Sequence, residues 1–142
     1  MELIIHSIDE LEKVVEELLN FAGDRKILLF YGEIGAGKTT FIQRFCSYFN
    51  VAENVTSPTF SLANEYTFKD KKDQSEQLIY HLDLYRLKNM DEAIDIGIED
   101  YLFGNYYCLI EWPEIIEPLL PEDVVKIKIQ LLDNSSRKII FL

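Results

Sequence analysis

Gly32-Glu33-Ile34-Gly35-Ala36-Gly37-Lys38-Thr39-Thr40 is the stretch that decides the fold. It meets the pattern G-x-x-x-x-G-K-[ST] at Gly32, Gly37, Lys38 and Thr39. Glycines let the backbone turn so that its N–H groups point at phosphate oxygens. The lysine brings an ammonium to the outer phosphates, and the threonine hydroxyl is suited to Mg²⁺. On average composition, a chance match in a chain of this length has a probability of about 0.005.

The surroundings fit the motif. Lys26 to Tyr31 is an apolar run of strand length, and Thr40 to Phe49 carries apolar residues at helical spacing. Strand, loop and helix predict a nucleoside triphosphate site, with the helix N-terminus facing the anion.

Working outward, Leu3 to His6 reads as a short strand. Asp9 is placed to cap a helix reaching about Phe21, with Leu11, Val14, Val15, Leu18 and Leu19 on one face and Gly23-Asp24 ending it. Beyond the phosphate loop, Thr59 to Phe68 and Gln77 to Tyr85 predict an antiparallel hairpin across the polar turn 69–76. Asp91 is placed to cap a helix of about a dozen residues ending near Phe103 and interrupted by Gly97. Tyr106 to Ile110 is continuously apolar, the mark of a central strand covered on both faces. Pro113 suits a helix start. Val124 to Leu132 and Lys138 to Leu142 predict a terminal hairpin around Asp133-Asn134-Ser135-Ser136. The fold expected is α/β: one P-loop NTPase-like domain over residues 1–142, three layers, with a central mixed β-sheet.

Composition narrows the function. Fourteen basic against 25 acidic residues give a net charge of −11, which argues against wrapping nucleic acid directly. Cys46 and Cys108 lie far apart inside apolar runs and read as core residues. No apolar run approaches a membrane span, and Met1 to Ile5 lacks the basic flank of a signal peptide, so a cytoplasmic setting is expected.

A phosphate loop needs an acidic group at the end of a strand to organise Mg²⁺ and water. Glu111 and Asp83 both qualify, and spacing alone does not rank them. The run before Glu111 is the more uniformly apolar, which favours it as the strand beside the loop. Neither Asn-Lys-x-Asp nor Asp-x-x-Gly occurs, so an adenine nucleotide is favoured over guanine. Ser57-Pro58-Thr59-Phe60 offers two hydroxyls on an extended segment, which suits a loop sensing the γ-phosphate. No arginine stands in the phosphate loop or next to Glu111 in sequence, so weak basal hydrolysis is expected. Two other classes stay open: a nucleotide-gated protein-binding switch without productive hydrolysis, and a small-molecule kinase.

Further blocks follow in order: His81-Leu82-Asp83-Leu84-Tyr85-Arg86-Leu87, Gly97-Ile98-Glu99-Asp100-Tyr101 and Glu111-Trp112-Pro113-Glu114. Together with the phosphate loop and Ser57 to Phe60, they resemble the TsaE (YjeE) family of bacterial ATPases. The resemblance implies an ATPase of low activity, working with TsaD and TsaB in threonylcarbamoyladenosine modification of tRNA beside the anticodon, and meeting tRNA only indirectly. It implies nucleotide contacts from Gly32 through Thr40, with Lys38 on phosphate, Thr39 and Glu111 on Mg²⁺, and Asp83 serving hydrolysis by positioning water. Ser57, Pro58, Thr59 and Trp112 would form the switch and partner side. His81 and Arg86 match as well. Glu10 and Arg137 fall where family members border the nucleotide.

Overall fold

The computed structural model describes residues 1–58, 62–132 and 135–142. Its strands are β1 (Glu2–Ile5), β2 (Ile27–Tyr31), β3 (Ala63–Lys69), β4 (Glu76–Asp83), β5 (Tyr107–Glu111), β6 (Val124–Leu131) and β7 (Arg137–Phe141). They form one sheet in the order β1-β7-β6-β2-β5-β4-β3. The centre is parallel: β2 pairs with both β5 and β6, and β4 with β5. The margins are antiparallel, in the pairs β1·β7, β6·β7 and β3·β4. The mixed sheet and both hairpins thus match expectation, although Thr59 at the expected start of β3 and Asp133-Asn134 in the terminal turn lie outside the described residues.

The helices are α1 (Leu11–Ala22), α2 (Lys38–Tyr48), α3 (Met90–Asp95) and α4 (Ile98–Leu102), with 3₁₀ turns at Ile8–Glu10 and Pro113–Leu119. Alternation along β2 explains the three layers. Leu28 and Phe30 join the core under α1 and α2, with Val15, Leu18, Phe41 and Phe45. Ile27 and Leu29 face the opposite core, with Ala93, Ile98, Leu102 and Ile116. A strand buried on both faces is apolar along its length, as β2 is throughout and β5 is up to its last residue, Glu111. Cys46 belongs to the first core and Cys108 to the second, so the two free thiols are separated by the sheet.

Three boundary expectations change. Ser7, not Asp9, starts the first helical segment, because Glu10 returns its carboxylate to the Ser7 and His6 N–H groups and closes a capping box. Asn89, not Asp91, caps α3, its side chain accepting from Glu92 N at 3.0 Å. The expected dozen-residue helix is two short ones, because Gly97 takes φ 82° and ψ 35° between them.

Candidate functional site

The phosphate loop leaves the C-terminal end of the central strand β2 and enters α2 at Lys38. Gly37 caps that helix with φ 108°, which L side chains rarely adopt. Gly32 is required for a different reason: a Cβ there would stand 2.7 Å from the Ile129 carbonyl oxygen on β6. Ala36 N donates to Glu33 O at 3.0 Å and closes the turn between them.

Lys38 is buried beneath the loop. Its ammonium donates to the Gly32 carbonyl and lies 3.5 Å from the centroid of the Trp112 ring. Loss of solvent holds its pKa below the usual lysine range, opposed by the charges of Glu111, Glu114 and Asp83. Thr39 Oγ1 donates to Glu111 Oε1 at 3.0 Å and lies 3.0 Å from Ser57 Oγ.

The acids end two adjacent parallel strands, β4 and β5, whose register sets Asp83 opposite Glu111. On its other side, Glu111 is opposite Phe30 of β2, so β5 is the strand beside the phosphate loop, as its apolar run suggested. Glu111 is almost completely buried, and its Oε2 accepts from His81 Nε2 at 2.7 Å. Asp83 accepts from Tyr85 N at 3.0 Å. Burial raises its pKa above the ordinary aspartate value, with the Glu111 charge adding to the effect.

These groups border one cavity of about 430 Å³. Of the residues expected from sequence, Ile34, Gly35, Gly37, Lys38, Thr39, Thr40, Asp83, Glu111, Trp112 and Arg137 line it. Gly32, Glu33 and Ala36 shape the loop without lining the cavity. Ser57 joins through Thr39. Pro58 does not line it, and Thr59 lies outside the described residues. Glu10 is not brought to the cavity; its carboxylate is engaged in the capping box.

Arg137 corrects one inference. No arginine neighbours the loop in sequence, yet Arg137, at the start of β7, donates from Nε to Ala36 O at 2.8 Å. Two further participants carried too weak a signal to be assigned. Tyr85 lines the cavity and packs on Trp112 with ring centroids 5.0 Å apart. His81 bonds Glu111; the block His81 to Leu87 had marked it as a family match without assigning it a role.

Trp112 has φ 58° and ψ 55°, a left-handed conformation uncommon for a bulky residue. It places the indole over Lys38 immediately after the strand that delivers Glu111. Strained non-glycine residues of this kind cluster at functional sites.

Comparison with known proteins points the same way. The family described as "Threonylcarbamoyl adenosine biosynthesis protein TsaE" matches residues 5–139. The Bacillus subtilis protein named "tRNA threonylcarbamoyladenosine biosynthesis protein TsaE" is 33% identical over 133 residues, covering 94% of this chain and 79% of that protein. The Rickettsia bellii protein of the same name is 36% identical over 138 residues, covering 96% and 90%. The crystal structure of Bacillus subtilis YdiB superposes with a TM-score of 0.73 at 28% identity, over 99% of this chain and 83% of that one. With the family matching residues 5–139 and these relatives 33% and 36% identical over 94% and 96% of the chain, the chain belongs to the TsaE family.

Proposed function

We propose that this protein binds ATP with Mg²⁺, hydrolyses it slowly, and acts with TsaD and TsaB in threonylcarbamoyladenosine modification of tRNA in the cytoplasm. The observation that carries the ATP site is the 3.0 Å hydrogen bond from Thr39 to Glu111, with the Lys38 ammonium beside it at the head of α2. The helix N-terminus and loop amides favour a polyphosphate there.

The donor set fits Mg²⁺. Thr39 and Glu111 offer hard oxygen atoms, and Mg²⁺ takes one or two protein groups and completes its shell with phosphate and water. Among the described residues no group of three or more His, Cys, Asp or Glu side chains could hold a metal ion. Bound there, Mg²⁺ would neutralise phosphate charge. Lys38 would turn from the Gly32 carbonyl to the outer phosphates. Asp83, whose proton affinity is raised by burial, would orient the attacking water.

The absence of Asn-Lys-x-Asp supports adenine over guanine. The net charge of −11 supports protein partners over direct tRNA contact.

Reconstitution tests this function. Purified TsaD and TsaB should modify tRNA repeatedly only when this chain and ATP are both present. Equal modification without it would refute the role. Transfer of phosphate to a small acceptor, in place of free phosphate release, would instead establish a kinase.

A further inference from the structure

We propose that His81 and Tyr66 are positioning residues that hold the Glu111 carboxylate and tie it to the backbone of the segment carrying Ser57. The proposal rests on the ATPase reading for its kinetic part and on geometry for the rest.

The three side chains form a row across the sheet. Tyr66 of β3 is opposite Ile79, and His81 of β4 is opposite Asn64 and Leu109. Tyr66 to His81, and His81 to Glu111, are therefore diagonal neighbours on one face, close enough for side chains to meet. Tyr66 Oη lies 3.0 Å from His81 Nδ1, and His81 Nε2 donates to Glu111 Oε2 at 2.7 Å. At the other end, the Thr56 carbonyl accepts from Tyr66 Oη at 2.9 Å and from Asn64 Nδ2 at 3.0 Å.

Glu111 thus reaches the Thr56-Ser57 segment by two routes. One runs through Thr39 Oγ1 to Ser57 Oγ, and the other through His81 and Tyr66 to Thr56 O. The first route uses the hydroxyl that Mg²⁺ would claim. The second does not, so it keeps the carboxylate and the segment in one frame when Thr39 turns to the ion. Packing alone does not account for the row. His81 is fully buried, Tyr66 is 2% exposed and Glu111 is 3% exposed, between the sheet and α2. Apolar side chains would fill that layer without the desolvation cost. Outer groups of this kind orient a metal-binding carboxylate and set its affinity.

Three variants of the full chain test the relay: Tyr66→Phe, His81→Gln and His81→Ala. Calorimetry reads ATP affinity with and without Mg²⁺, steady-state assays read kcat and KM, and amide exchange reads residues 55–57. Affinity without Mg²⁺ should stay within about twofold in all three, since the phosphate loop is untouched. In His81→Ala, kcat and the Mg²⁺-dependent gain in affinity should fall about 10–100-fold, with KM for ATP and Mg²⁺ rising in step with the lost affinity. His81→Gln keeps a donor toward Glu111 and should recover part of that loss. Tyr66→Phe should speed exchange at residues 55–57 and lower kcat about 10-fold.

Wild-type kcat in His81→Ala and Tyr66→Phe overturns the proposal. So does unchanged exchange in Tyr66→Phe, or an equal loss of ATP affinity with and without Mg²⁺. If the wild-type chain hydrolyses no ATP, the ATPase reading fails instead. Exchange at residues 55–57 then decides the relay, faster exchange in Tyr66→Phe upholding it and unchanged exchange overturning it.

Discussion

The Lys38 ammonium rests 3.5 Å from the centroid of Trp112, the one tryptophan in the chain. A cation over an indole face is attracted by the ring quadrupole, by about 0.5–2 kcal/mol depending on desolvation. Phosphate binding must move that charge. Tryptophan emission should therefore change saturably as ATP is added, and the change should vanish in Lys38→Ala, which removes the group proposed to neutralise phosphate. Emission that follows ATP equally in Lys38→Ala would refute the assignment of Lys38 to phosphate.

Glu111→Gln separates metal binding from nucleotide binding. The amide keeps the volume and one oxygen but loses the charge that would hold Mg²⁺. ATP affinity without the ion should change little, and the additional affinity that Mg²⁺ confers should largely disappear. The variant also alters a buried hydrogen bond to His81, and such a loss costs about 1–3 kcal/mol, so some fall in Tm is expected. Undiminished Mg²⁺ dependence in calorimetry would move the metal role to Asp83.

Much of this site was legible in the sequence, for reasons particular to each residue. The phosphate loop is contiguous and needs glycine where backbone approaches backbone, as Gly32 does at Ile129. Glu111 stood out because a strand buried on both faces is apolar at every position until it ends. Arg137 and Ala36 touch although 101 positions separate them, and no local pattern encodes that pairing. His81 and Tyr66 sit in alternating strands whose register is fixed only once β3, β4 and β5 assemble. The misplaced caps have a local cause: at both ends a residue two positions earlier, Ser7 or Asn89, supplies the extended backbone a cap requires.

Asp83 carries a stability cost that the proposed role in hydrolysis would explain. Its folded pKa lies above the unfolded value, first because of burial and then because of the Glu111 charge. Such a group adds stability in full below the unfolded pKa and loses it as pH rises through the folded pKa. Near neutrality the ionised carboxylate is therefore a burden. Asp83→Asn keeps an oxygen to accept from Tyr85 N and removes the charge. Its Tm should rise by about 2 °C at pH 7, about 0.5 kcal/mol after allowance for solvent screening, and the gain should disappear near pH 3. Its kcat should fall about 100-fold or more if the carboxylate serves hydrolysis. Thermal scans at the two pH values check the first claim, and single-turnover hydrolysis checks the second.

The two cysteines test the integrity of both cores. Burial pushes the Cys46 and Cys108 thiols up to about 12, and the thiolate is the reactive form. At pH 8 the folded protein should resist a thiol-reactive disulfide reagent, while the unfolded chain should react at both positions. Because Cys46 lies on the buried face of α2 and Cys108 in the core on the opposite side of the sheet, labelling in dilute denaturant distinguishes local from global opening. Equal labelling rates that track the unfolding equilibrium are expected if the sheet opens as one unit. Selective labelling of Cys108 would mean that α3 and α4, only six and five residues long, detach first. Rapid labelling of both thiols in buffer alone would contradict the burial of the sheet's two faces.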